Sequence, residues 1–219
     1  QSSATGKALR DTIVACNSLA MSALGRGNTA RCQDLLARAL AIVSDARVKG
    51  VGDDSRRGVA TRRMGILSHT HAGGGGGGGI PGLHILTLNN TACLHRSRLG
   101  EPKRALRYLR RAAEIGRLSN GSEHLEVTHL NACAVLSELG RHEEALEHAR
   151  SAVFYGQEHA DLGMQSGKMT SNGVVVGPER TTSGAVASRR ARLATLAVSY
   201  YNLAVELEFT HRYEACLEW

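Results

Sequence analysis

The sequence predicts an all-α protein built as a row of helix-turn-helix units, interrupted by two long flexible inserts. Three observations carry that expectation. Ala and Leu are abundant, while aromatic residues make up only 4% of the chain, a composition suited to helices that approach through small side chains. Glycines stand at the ends of stretches with helical apolar spacing, where a residue free to take positive φ ends a helix. The pattern also repeats along the chain, and a repeat at a fixed period is the mark of a stacked array.

The clearest unit is "TLNNTACLHRSRLGEPKRALRYLRRAAEI", residues 87–115, and its counterpart is "HLNACAVLSELGRHEEALEHARSAV", residues 129–153. Asn90 answers to Asn131, Ala92 to Cys133, Leu99-Gly100 to Leu139-Gly140, Ala105 to Ala145 and Ala112 to Ala152. A third copy at 200–219 supplies Asn202, Ala204, Tyr213 and Cys216, with His211 in place of the turn glycine. A looser copy at 18–42 has Ser18, Ala20, Gly27, Cys32 and Ala39 in the equivalent places. In each second helix the small residues lie seven apart, on one face two turns on, where they admit a close neighbour. Cys32, Cys133 and Cys216 fall in these small-residue slots and read as small hydrophobes. Asn90 to Gly100 is ten residues and Asn131 to Gly140 nine, so one residue is inserted near the end of the earlier unit's first helix.

The units divide the chain as follows. Residues 8–46 form unit 1 and 47–83 a Gly-rich flexible insert; 84–118 form unit 2 and 119–159 unit 3 with its linker. Residues 160–192 form a second flexible insert, and 193–219 a truncated unit 4. The chain begins with Gln1 and ends at Trp219 inside a helical pattern, which suggests a piece of a longer protein.

This pattern resembles the tetratricopeptide repeat, and the resemblance implies a helix-turn-helix solenoid wound as a right-handed superhelix. The stretch "EIGRLSNGSEHLEVTHLN" (114–131) resembles the inter-repeat region of kinesin light chains, through Gly121, His124, Val127 and Leu130-Asn131. The "TLNN" of the preceding unit and the spacing of 40 from Gly100 to Gly140 agree with that longer repeat.

The resemblance implies that the first helix of every unit lines the concave face, which sets Asn90, Asn131 and Asn202 in a ladder. An amide both donates and accepts, so a ladder of them can hold the main chain of a peptide without reading its side chains. The alternative is that each asparagine ties its helix to the neighbouring unit. If they face a ligand, Asn89, Leu130, Ala134, Tyr201 and Val205 flank them and shape selectivity. Repeats that clamp a terminal carboxylate carry Lys or Arg nearby; the near equivalents here, Asn17, Met21 and Val127, are not cationic, which argues against that mode.

The net charge of +7 is uneven, and residues 101–117 hold six Lys/Arg against two Glu. Lys103, Arg104, Arg107, Arg110 and Arg111 cluster on the second helix of unit 2. They read either as a solvated face, with Arg stems over apolar surface, or as a docking patch for an acidic partner or a cytoskeletal surface. Binding of nucleic acid is disfavoured, because the concave face is not basic.

Other chemistry finds no support. The run "HAGGGGGGGIPG" (71–82) lacks the strand and βαβ frame that a nucleotide loop requires. His69 and His71 alone do not make a metal site, and the five cysteines are scattered, odd in number and never CxxC. No catalytic constellation, metal site or cofactor is expected. No apolar run is long enough to cross a bilayer. The expected function is a non-catalytic scaffold or adaptor that takes a peptide or helical segment of another protein, in the cytoplasm or on the cytoskeleton. The alternatives are a regulatory repeat region of a larger enzyme and, less favoured, a helical-repeat RNA binder.

Overall fold

The computed structural model describes residues 2–48, 79–119, 124–164 and 183–216. Among the described residues all regular structure is helical: α1 (Ser2–Gly25), α2 (Thr29–Val48), α3 (Ile80–Ser97), α4 (Pro102–Leu118), α5 (Leu125–Glu138), α6 (His142–Met164), α7 (Ser183–Phe209) and the single turn α8 (Tyr213–Cys216). They pair in chain order as four hairpins. Each hairpin packs on the next, and the first helices also touch directly, α1 on α3, α3 on α5 and α5 on α7. No such contact joins α2 to α4 or α4 to α6. The row is therefore an α-helical repeat solenoid that closes on the side of its first helices, which form its inner face.

The turns follow from single residues. Gly27, Gly100 and Gly140 take φ of +78°, +62° and +68°. At Gly140 its own N–H reaches Ser137 O and the next N–H, of Arg141, reaches Leu136 O, the paired bonds that close a helix with a left-handed residue. Gly27 and Asn28 do the same with Leu24 and Ala23. His211 takes the left-handed conformation too, at φ +57°, and its turn keeps both bonds. The turn at Gly100 is wider. There Glu101 N–H reaches back six residues to His95 O, which accommodates the inserted residue that the spacing predicts.

The small residues at seven-residue spacing are the deepest in the fold: Cys32, Ala39, Ala105, Ala112, Ala145 and Ala152 are all 0% exposed. One turn beyond Ala112 and Ala152 lie Gly116 and Gly156. A Cβ on Gly116 would come within 2.8 Å of the Leu125 Cγ of α5, and one on Gly156 within 2.8 Å of the Leu196 Cδ1 of α7. These glycines let the second helices α4 and α6 press against the hairpins that follow them. The five cysteines are all free. Burial raises the thiol of Cys133 to about 12, helped by the negative charge of Glu206, so it acts as an inert apolar group. Cys216 departs from this pattern and is only half-buried.

The helices reach into both stretches expected as inserts. Ile80 and Leu83, within 47–83, lie in α3 and pack in one buried cluster with Ile13, Ala39 and Val43. Pro81 and Gly82 read as loop residues in the sequence, but proline is tolerated in a helix's first turn, where its missing N–H would have no partner. Residues 160–164 extend α6, and α7 begins at Ser183, ten residues before the expected start of unit 4. The remaining parts of the two stretches, with His69, His71 and most of the glycine run, lie outside the described residues, as does Gly121.

Candidate protein-interaction face

The paired asparagines of α3 explain how the inner row is held. Asn89 and Asn90 sit in the middle of α3 and face opposite neighbours. Asn90 Nδ2 donates backward to Asn17 Oδ1 of α1 at 2.8 Å. Asn89 Oδ1 accepts from Asn131 Nδ2 of α5 at 3.1 Å. A threonine completes each joint. Asn17 Nδ2 donates to Thr87 Oγ1 at 2.9 Å and Asn89 Nδ2 to Thr128 Oγ1 at 2.7 Å. Both threonines donate in turn to the carbonyl four residues back, Leu83 O and His124 O. The buried amides of Asn17 and Asn89 likewise donate to Ile13 O and Ile85 O. The rule is thus an Asn on one first helix, received by a Thr-x-x-Asn on the next.

At the third joint the rule breaks. Ser199 and Asn202 of α7 occupy the receiving places, and Ser199 Oγ donates to Thr195 O as the threonines do. Leu130 stands where Asn17 and Asn89 stand, so no amide comes across. The joint is made instead between α6 and α7. His142 Nδ1 donates to Glu206 Oε2 at 2.9 Å, the carboxylate being only 2% exposed, and the imidazole stacks on Phe209 at 4.3 Å. Arg212 pairs with Glu143 at 2.9 Å.

On α3, bracing from both sides leaves one strip open. On α3 the partly accessible side chains between Pro81 and Arg96 are Leu86, Asn90 and Cys93, which lie four and three residues apart on one face. The same three places are Val127, Asn131 and Ala134 on α5, Val198, Asn202 and Val205 on α7, and Val14, Ser18 and Met21 on α1. The first place is aliphatic in every unit, with Val14, Val127 and Val198 exposed to 42%, 39% and 47%. None of these places carries a charged side chain. The strip can take apolar side chains and offer amide atoms between them.

Two stretches, residues 13–38 and 127–151, match the tetratricopeptide repeat. The matched stretches span the turns of the α1–α2 and α5–α6 hairpins. No curated protein and no solved structure matches the chain. Repeats of this kind are, in general, sites of contact between proteins.

Of the residues expected to form a groove on these repeats, Asn89 departs from expectation: it is 3% exposed and its amide is spent on three partners. Asn90 and Asn131 stand on the strip, half-buried, each with its Nδ2 committed to a brace. Ala134, Asn202 and Val205 are on the strip as well. Leu130 is half-buried at the third joint. Tyr201, 69% exposed, lies beside the strip on the flank of α7 away from α5. The aliphatic places Val14, Leu86 and Val198 were not singled out by sequence reasoning. Counting four residues back from each ladder position would have found them.

The basic residues of α4 are all exposed, but not all are unpaired. Arg104, Arg110 and Arg111 reach Glu101, Glu144 and Glu114 at 3.4, 3.4 and 2.7 Å. Glu101 also accepts from the buried His95 Nδ1 at 2.7 Å, and that bond holds its carboxyl below the usual range. Lys103 and Arg107 line an open cleft with Gly100, Pro102 and Leu139 at the edge of the second and third repeats. Inside the third repeat, His129 and His148 meet through their Nδ1 atoms at 2.9 Å. Burial lowers both, His129 to about 4, and each is further lowered by a neighbouring positive charge, His148⁺ or Arg110. Among the described residues no group of three metal-ligating side chains converges, and no helix is long and apolar enough to cross a membrane.

Proposed function

We propose that the chain is a non-catalytic interaction module that takes a peptide or helical segment of a partner protein along the inner strip. One observation carries the reading: at equal positions in all four units, the accessible face of the first helix is aliphatic, then amide or hydroxyl, then small or apolar. A stable helix row has no need of solvent-exposed valines at a repeated position, and their recurrence on one face suits contact with apolar side chains of another chain. The uncharged strip favours an apolar stretch of the partner. The spacing of 40 between Gly100 and Gly140, repeated between Gly116 and Gly156, supports a kinesin-light-chain-like repeat and with it an adaptor role in the cytoplasm or on the cytoskeleton. Lys103 and Arg107 are the cations available to an acidic surface beside it.

The reading is tested by selecting peptides from a displayed random library on the protein and measuring one selected peptide as a synthetic, labelled ligand. Val127→Asp places a charge on the strip at an exposed site, so the fold, followed by circular dichroism, stays intact. Affinity is expected to fall by about tenfold or more, as for a desolvated apolar contact in the centre of an interface. A peptide that binds Val127→Asp as tightly as the parent protein would remove the inner strip as the site.

A further inference from the structure

Where α5 meets α6 inside the third repeat, the chain departs from the pattern of the earlier repeats. Two places recur between the paired helices: two residues before each ladder position, and three after the leading small residue of the second helix. Cys16 and Leu35 occupy them in the first repeat, and Leu88 and Tyr108 in the second. All four take part in apolar packing, and Leu88 and Tyr108 share one cluster. The third repeat puts His129 and His148 there. Their Nδ1 atoms lie 2.9 Å apart and their ring centroids 5.0 Å. Tyr155 stacks on the His129 ring at 5.6 Å and holds its direction. Exchanging an apolar pair for two imidazoles that meet through nitrogen has a cost, because one proton must serve both nitrogens.

A metal ion would satisfy both. Imidazole–metal bonds of about 2.0 to 2.1 Å set two nitrogens about 2.9 Å apart at a right angle, and about 3.4 Å apart at a tetrahedral angle. The observed separation matches the right angle. Burial keeps both rings neutral at pH 7, and the neutral imidazole is the form that binds a metal. Both side chains are half-buried and not sealed, which leaves the pair open to an ion and its water. Of the charged groups around His148, Arg110 opposes a cation, while Glu144 and Glu147 favour one.

We infer that His129 and His148 form a two-histidine clasp for a divalent transition-metal ion, of the copper(II) and nickel(II) class that suits right-angle coordination by imidazole. Each ring carries its proton on Nε2 and gives its Nδ1 lone pair to the ion, and water fills the remaining positions. Two protein ligands in place of three keep the ion exchangeable. Bound, it pins α5 to α6 and stabilises the third repeat by mass action. The inference stands apart from the reading of the inner strip.

The experiment titrates the full chain with nickel chloride by calorimetry and follows the urea midpoint with and without the ion. Every protein carries His69→Gln and His71→Gln, which removes a competing chelate from the His-Thr-His stretch. A single nickel ion per chain is expected, with a rise in the urea midpoint that magnesium chloride does not give. His129→Leu combined with His148→Tyr copies the pair of the second repeat, so the fold stands without the ion. It should weaken nickel binding by about 100-fold or more, beyond the usual effect of losing an outer-shell partner, and abolish the midpoint rise. His148→Gln alone should weaken binding by about tenfold or more. Equal affinity in the parent and in these variants would put the ion on other side chains and overturn the inference. So would a midpoint rise that persists in the double variant, or a parent protein that binds no nickel.

Discussion

Asn89→Ala tests the brace directly. The side chain is 3% exposed and joins two helices through two hydrogen bonds, Nδ2 to Thr128 at 2.7 Å and Oδ1 from Asn131 at 3.1 Å. Each such bond is worth about 1 kcal/mol net. The lost amide also leaves a small void between α3 and α5, adding roughly 1 kcal/mol. Against this, alanine is the better helix former by about 0.6 kcal/mol. The expected loss is therefore about 2.5 kcal/mol, or roughly 5 to 10 °C for a chain of this size. Urea unfolding followed by circular dichroism measures it. Asn131→Ala and the double variant close a thermodynamic cycle, with a coupling of about 0.5 to 1 kcal/mol expected across the bond. A loss below about 0.5 kcal/mol with no coupling would mean that the amides are spectators and that apolar packing alone sets the register of the row.

Three further outcomes follow from local geometry. His129 is held neutral, near 4, against an unfolded value near 6.5, so the unfolded chain takes up the proton first as pH falls. Stability is full above about pH 6.5 and declines towards pH 4, by at most about 2 kcal/mol at pH 5; His129→Gln should flatten the urea midpoint between pH 7.5 and 5, and an unchanged slope would contradict the assignment. Gly116→Ala should destabilise by about 1 to 3 kcal/mol because its Cβ meets the buried Leu125, whereas Gly25→Ala, with open space around it, should stabilise by up to about 1 kcal/mol. Equal signs for the two in thermal melts would refute the close approach. His211→Gly relieves a left-handed residue at φ +57° and should raise the urea midpoint by the equivalent of about 0.5 to 1 kcal/mol, offset in part by the loss of its contact with Tyr213. A lower midpoint would show that this contact outweighs the strain.

The sequence by itself determined the helices, their pairing and the order of the units, because these are local matters. A glycine that must turn left, a small residue every second turn and an apolar period are each readable within one segment. Even the extra residue before Gly100 was legible from spacing, and it appears as the wider turn closed by Glu101 and His95. Helix ends were less legible: Pro81 and Gly82 carry loop propensities, and only packing of Ile80 and Leu83 against α1 and α2 makes that segment helical. The work of the asparagines was decided by tertiary structure alone. Asn89 and Asn90 are chemically identical neighbours, and nothing within α3 says that one looks forward to Thr128 and the other back to Asn17. That assignment comes from a helical rotation of about 100° between adjacent residues, set against two helices distant in sequence. The same holds for Leu130, an unremarkable apolar residue in its own helix, whose meaning lies in the hydrogen bond it withholds from Asn202.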